Sequence, residues 1–176
     1  MGLSQSFVEL LRVWEPDQLT APIILIPHDV IDGIVADAGR FAGSKERGGI
    51  FLGLRRGAHI HIKEATLPMR WDWGTMFGFR RSARGHQEVA LRRWRDSSHT
   101  MDWVGEWHSH PEPVPSPSGI DLNSWQGIVA TCESPMVFLI VGYKELWVGL
   151  SVPGRATPHV YRETERTELG IAFERR

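Results

Sequence analysis

Thiols are nearly absent from this chain: Cys132 is the single cysteine in 176 residues, which excludes an intrachain disulfide and any zinc cluster built on thiolates. A nucleobase deaminase, which holds its zinc with a Cys-x-x-Cys pair, is excluded on the same ground. No charge of one sign dominates, since 20 Lys and Arg stand against 21 Asp and Glu, so bulk electrostatics give no reason to expect a nucleic-acid partner. Long apolar runs are also missing, and no charged-then-apolar leader opens the sequence. Neither a membrane span nor a signal peptide is therefore expected, and the protein is predicted to be cytoplasmic. There is no His-Glu-x-x-His string of the zincin type, no internal repeat and no low-complexity linker. With 41% hydrophobic and 23% charged residues, the composition is that of an ordinary globular chain, expected as a single domain over 1–176 with a core at about 22–162 and a tail at 163–176.

What is present is concentrated between Gly105 and Asp121, which read G-E-W-H-S-H-P-E-P-V-P-S-P-S-G-I-D. On a β-strand, residues i and i+2 project from one face about 7 Å apart, so His108 and His110 can offer two imidazoles to one metal ion. The Pro-rich turn Pro111 to Pro117 ends that strand. Gly119 to Cys132 then reads as a helix whose first turn can return the Asp121 carboxylate to the imidazoles. Two His and one Asp leave a tetrahedral Zn²⁺ an open position, the pattern of catalytic rather than structural zinc. A second reading explains Ser118 and Asp121 without chemistry, as N-cap and third helical residue of a capping box. It leaves the two histidines at a strand end unexplained.

The spacing His108-Ser109-His110, Ser118, Asp121 resembles the signature of the JAB/MPN metallopeptidases, the JAMM family. Glu46-Arg47-Gly48-Gly49-Ile50-Phe51-Leu52-Gly53 is similar to the segment that carries that family's catalytic glutamate. The fuller string, with Trp125 shortly after, looks most like the compact prokaryotic branch found in anti-phage signalling operons and integrative elements beside E1/E2-like enzymes. The resemblance implies a mixed α/β fold, a curved mixed sheet flanked by helices, and one Zn²⁺ per chain held by His108, His110 and Asp121. It implies Glu46 as general acid-base and Ser118 as hydrogen-bond donor to the oxyanion. The implied substrate is a ubiquitin-like protein or its conjugate, with a nucleotidyltransferase conjugated by an E1/E2-like enzyme as the candidate target. Two alternatives stay open: a trimming peptidase for ubiquitin-like sulfur-carrier precursors, and a non-catalytic MPN scaffold, which usually loses ligands that this chain keeps. Strand alternation alone nominates another base, Glu106, on the same face as the two histidines. Glu106 lies beside the imidazoles, however, and suits orienting a histidine better.

The remaining segments are read by periodicity. Ile23 to Ile26 is a strand bounded by prolines, and His28 to Phe41 shows the spacing of an amphipathic helix. Phe7 to Trp14 fits a short helix or an edge strand. Gly48 to Arg55 and Ala58 to Thr66 form a hairpin through Arg56-Gly57. His59, His61 and Asp72 mimic the metal spacing, but Ile60 and Ile62 alternate with the histidines, which places the imidazoles on a wet strand face. Leu67 to Phe79 is an aromatic loop; Trp71 and Trp73, with Arg80 and Arg81, are candidates for contact with a substrate tail. Ser82 to Ser98 is a helix, basic enough to serve as an electrostatic dock. Met101 to His110 is the metal-bearing strand, Met136 to Tyr143 and Leu146 to Ser151 are buried strands, and Thr157 to Arg162 is a further strand. In the tail, Leu169, Ile171 and Phe173 are candidates to dock.

Overall fold

The computed structural model describes residues 21–42, 45–75, 78–132 and 134–175; the stretch 7–14 lies outside them. The elements are β1 (Ile24–Ile26), α1 (His28–Arg40), β2 (Gly48–Arg56), β3 (His59–Ala65), β4 (Trp73–Thr75), β5 (Gly78–Arg80), α2 (Ala83–Asp96), β6 (Asp102–Ser109), α3 (Gly119–Thr131), β7 (Met136–Val141), β8 (Leu146–Ser151), β9 (His159–Thr167) and β10 (Gly170–Arg175). Eight strands form one sheet in the order β1-β10-β9-β8-β7-β6-β2-β3. It closes because short β1 pairs with β10 on one side and β3 on the other. The β1–β3 and β6–β7 pairs are parallel and the others antiparallel, so the mixed sheet expected from the sequence is curved to closure. β4 and β5 stand apart as a two-stranded ribbon.

Burial explains why the strand patterns differ. All six residues of β7 are buried, because one face packs into the barrel through Val137, Leu139 and Val141 while the other packs under α3 through Met136, Phe138 and Ile140. A strand covered on both faces reads as a continuous apolar run, which is what Met136 to Val141 shows. Under α3 the aromatic rings of Trp125, Phe138 and Trp147 stack at centroid distances of 4.5 and 5.4 Å from Trp125. β3 is covered on one face only: Ile60 and Ile62 are buried, while His59 and His61 face outward as their alternation predicts. The β2–β3 turn places Gly57 at φ +59°, a left-handed conformation that costs glycine little.

Two segments depart from their sequence reading. The charged stretch after residue 162 is not an appendage: β9 runs on to Thr167, and β10 returns through Gly170 to seal the barrel with Ile171 and Phe173 buried. β9 is exposed at every residue from Arg162 to Thr167, so no alternation marks it as a strand, and Leu169 at the turn is 76% exposed. The aromatic loop contains the β4–β5 ribbon, too short for periodicity to register.

Candidate active site

Three backbone anchors bring β2, β6 and the loop after β6 together. Ser109 N–H donates to Arg47 O at 2.8 Å, and Arg47 N–H donates to Ser109 Oγ at 3.0 Å, so the start of β2 is clamped to the end of β6. The Arg47 guanidinium forks onto Asp37 of α1, at 2.5 and 2.8 Å, which fixes the residue beside Glu46 from the other side. Glu46 N–H donates to Thr75 O of β4 at 2.7 Å. The Glu46 side chain, only 7% exposed, is delivered next to the ends of His108 and His110. Beyond β6 the proline loop is tied to the β7–β8 turn by Tyr143 N–H donating to Glu112 O and Lys144 N–H to Pro113 O. α3 therefore starts directly over the histidines.

At its first turn, both readings of Ser118 and Asp121 coexist. Ser118 Oγ accepts Asp121 N–H at 3.2 Å, while Asp121 Oδ2 accepts Ser118 N–H at 2.7 Å, which completes a capping box. The same carboxylate faces the imidazoles: Oδ1 is 3.3 Å from His108 Nε2 and Oδ2 is 3.3 Å from His110 Nε2. The two Nε2 atoms are 3.0 Å apart. Zinc–ligand bonds of about 2.0–2.1 Å give a tetrahedron with edges of about 3.3 Å, close to the spacing between the two Nε2 atoms and between each Nε2 and its nearer Asp121 oxygen. Glu46 also joins a Glu/His/His group whose ligand atoms lie within 4.8 Å of one another, but its Oε1 is 4.0 Å from His110 Nε2. Each imidazole nitrogen is thus 3.3 Å from one oxygen of Asp121, closer than the 4.0 Å between Glu46 Oε1 and His110 Nε2.

Electrostatics separate the carboxylates. Burial pushes Glu46 above its ordinary value, and the neighbouring His108 and His110 offset this only in part. Asp121 is also penalised by burial, yet hydrogen bonds from His108, His110 and Ser118 hold it far below the usual carboxylate range. His110 loses by burial but gains more from Asp121 and Glu112, so it lies above the ordinary imidazole value. Glu112 Oε1 is 3.1 Å from His110 Nδ1 and holds that ring from behind. Nothing in the sequence reading had singled out Glu112; its place two residues after a ligand histidine was the available signal.

A cleft of about 490 Å³ opens beside this cluster, lined by Gly49, Trp73, Arg81, Glu106, His108 and Asp121 among others. Trp71 and Trp73 are 59% and 63% exposed, and Trp73 stands at the cleft with the Ile120 side chain. Arg81 forms a partly buried ion pair with Glu106 and lies over Trp103, so its guanidinium is part of the cleft wall rather than a free surface charge. Glu106 accordingly faces Arg81 and the cleft, and the histidine-orienting contact expected of it is made by Glu112 instead. Arg80 ends β5. The look-alike trio separates: His59 Nδ1 accepts Ile23 N–H at 3.1 Å, while Asp72 is buried elsewhere against His86.

Residues 27–150 match the family model described as prokaryotic homologs of the JAB domain. The chain is 39% identical over 122 residues to a CD-NTase/cGAS isopeptidase of Pseudomonas aeruginosa, covering 68% of this chain and 77% of that one. A CD-NTase/cGAS isopeptidase of Escherichia coli is 41% identical over 110 residues, 62% of this chain and 69% of its own. A probable metalloprotease of Sinorhizobium fredii is 27% identical over 163 residues, covering 87% and 90% of the two chains. Among solved structures, a Desulfitobacterium hafniense protein determined in solution superposes with a TM-score of 0.55 at 20% identity, covering 86% of this chain and 90% of that one, a likeness of fold. Among the described residues, no helix is long and apolar enough to cross a membrane.

Proposed function

Because this chain is a member of the prokaryotic JAB-domain family, and so a peptidase of the isopeptidase class, we propose that it is a zinc enzyme that cleaves after the C-terminus of a conjugated protein, within a prokaryotic anti-phage conjugation system. The observation that carries the chemistry is the convergence of His108, His110 and Asp121: the two Nε2 atoms are 3.0 Å apart, and each stands 3.3 Å from one oxygen of the Asp121 carboxylate. Zinc bound there supplies a Lewis acid for the scissile carbonyl and a water made nucleophilic near neutral pH. His108 and His110 present Nε2 from one strand face, and Asp121 closes the set with its carboxylate. Glu46 takes a proton from the attacking water at a carboxylate oxygen and delivers it to the leaving amine nitrogen. Its burial suits both halves of that task, since a raised pKa makes it a stronger base and then a usable acid at neutral pH. Ser118 donates its hydroxyl to the oxyanion. In the structure that proton is directed at Asp121 Oδ2, 2.6 Å away, so the hydroxyl rotates when substrate enters.

The extended C-terminal tail enters the cleft beside Trp73 and Arg81, with Trp71 and Arg80 as further candidates for contact with it. The names of the 39% and 41% identical relatives, CD-NTase/cGAS isopeptidases, favour a conjugate that contains a CD-NTase as the substrate. Trimming of sulfur-carrier precursors is the competing reading, and a mixture decides between them. Supplied with a CD-NTase conjugate that the Pseudomonas relative cleaves and with a C-terminally extended sulfur carrier, the enzyme is expected to consume the conjugate first. Preferential trimming of the carrier would replace the proposed substrate.

A further inference from the structure

Behind the cleft wall, three side chains form a relay that the cleavage chemistry does not use. His86 of α2 is fully buried, with Nε2 2.9 Å from Asp72 Oδ2 and Nδ1 2.7 Å from Thr66 Oγ1. Thr66 Oγ1 also accepts the N–H of Ile50 at 2.9 Å. Asp72 takes two further donors, Met69 N–H and Ser82 N–H, each at 2.7 Å. With the Asp72 carboxylate accepting from Nε2–H, Nδ1 and the Thr66 hydroxyl share the second hydrogen bond of the ring. The hydroxyl is thereby held toward Ile50. Hydroxyl, imidazole and carboxylate in this order look like a nucleophile triad, but all three are buried and the hydroxyl is engaged on both sides, so the array positions rather than attacks.

What it positions is visible at its two ends. Thr66 N–H donates to Ile50 O at 2.9 Å, and Thr66 O accepts the indole N–H of Trp107, the residue before His108, at 2.9 Å. β2 lies so close that a Cβ on Gly49 would stand 2.0 Å from Thr66 O. At the other end, Asp72 directly precedes β4, whose Thr75 O holds the N–H of Glu46. We infer that Thr66, His86 and Asp72 are positioning residues for the cleavage reaction: their relay fixes the cleft wall β4 against β2 and, through the Thr75–Glu46 bond, sets where the general base stands. None of the three touches the zinc triangle. The relay therefore governs tail binding and turnover without governing metal affinity, a separation that a purely stabilising network would not produce.

This inference rests on the isopeptidase reading, and the experiment keeps the two apart. Wild type, His86→Leu, Thr66→Val and Thr66→Ser are compared with the CD-NTase conjugate as substrate, the uncleaved tail peptide as ligand and Zn²⁺ alone in a metal titration. Thr66→Val preserves side-chain shape, so it reports even where His86→Leu fails to fold. Expected is a loss of about tenfold or more in kcat/KM, of the kind that misplacement of a catalytic group by a fraction of an ångström produces, for His86→Leu and Thr66→Val. Tail-peptide affinity should fall with it while zinc affinity stays unchanged, and Thr66→Ser, which restores the hydroxyl, should recover both. Wild-type values for Thr66→Val, a matching loss of zinc affinity, or no recovery in Thr66→Ser would each overturn the relay's role. Absence of cleavage by wild type would instead remove the isopeptidase reading, while the peptide and zinc titrations would still test the relay.

Discussion

Glu46 and Asp121 are two carboxylates facing the same pair of imidazoles, and their surroundings assign them opposite tasks. Asp121 receives donors from Ser118 and both histidines and stays ionised; Glu46 is buried with no comparable set and is pushed toward its protonated form. Glu46→Gln removes the base and leaves the triangle intact, so kcat is expected to fall by about a hundredfold or more with zinc still bound at one per chain, read by steady-state kinetics alongside elemental analysis. The pH profile follows with its sign. Glu46 acts ionised, so activity is lost as pH falls through its folded value, which burial places above 4.5. The acidic limb of kcat/KM is expected above the ordinary glutamate range and absent from the residual activity of Glu46→Gln. A limb at the ordinary carboxylate position would move the role elsewhere. His108, His110 and Asp121 were legible in the sequence because strand alternation and one helical turn are local geometry; Glu46, on a different segment, was reached through the family resemblance, while alternation alone nominated Glu106. Thr66, His86 and Glu112 were not legible, since their meaning depends on which distant segment each one meets.

At the level of elements, α3 carries a double duty that its first turn makes measurable. Ser118 caps the helix and directs Asp121, so Ser118→Ala is expected to cost about 1 kcal/mol in urea unfolding of the zinc-free protein. It should also weaken zinc binding, because Asp121 Oδ2 loses the donor that orients it. A stability loss with zinc affinity retained would reduce Ser118 to a cap. α1 and the central strands were readable from sequence for a shared reason: each buries a regular stripe or both faces, and the apolar spacing records it. Met136 to Val141 shows this most plainly, whereas α2, whose one buried residue is His86, shows no such stripe. The β4–β5 ribbon did not register because three-residue strands carry no period, and Trp73 lines a cleft rather than a core.

For the whole molecule, closure of the barrel depends on its last strand. Phe173 and Ile171 are buried against β1, whereas Leu169 projects from the turn. Phe173→Ala is expected to destabilise by about 3–5 kcal/mol, as a large aromatic lost from a core does, while Leu169→Ala should change stability by less than about 0.5 kcal/mol. Equal effects in denaturant unfolding would mean that the tail is not part of the core. Closure was invisible in the sequence because β9 is polar and exposed from Arg162 to Thr167, which leaves only the short run Ile171 to Phe173 of β10 to record the seal. A closed barrel in turn holds β2 and β6 in register, and that register is what sets Glu46 against His108 and His110. The most direct test of the proposed chemistry is a mass measurement of the products from a CD-NTase joined through its C-terminal carboxyl to a lysine of a target. Incubation with the zinc-loaded enzyme is expected to yield the CD-NTase with a free C-terminal carboxylate and the target with an unmodified lysine, to stop on chelation and to resume when Zn²⁺ is restored. An intact conjugate in the presence of enzyme carrying stoichiometric zinc, or cleavage that survives complete removal of the metal, would contradict it.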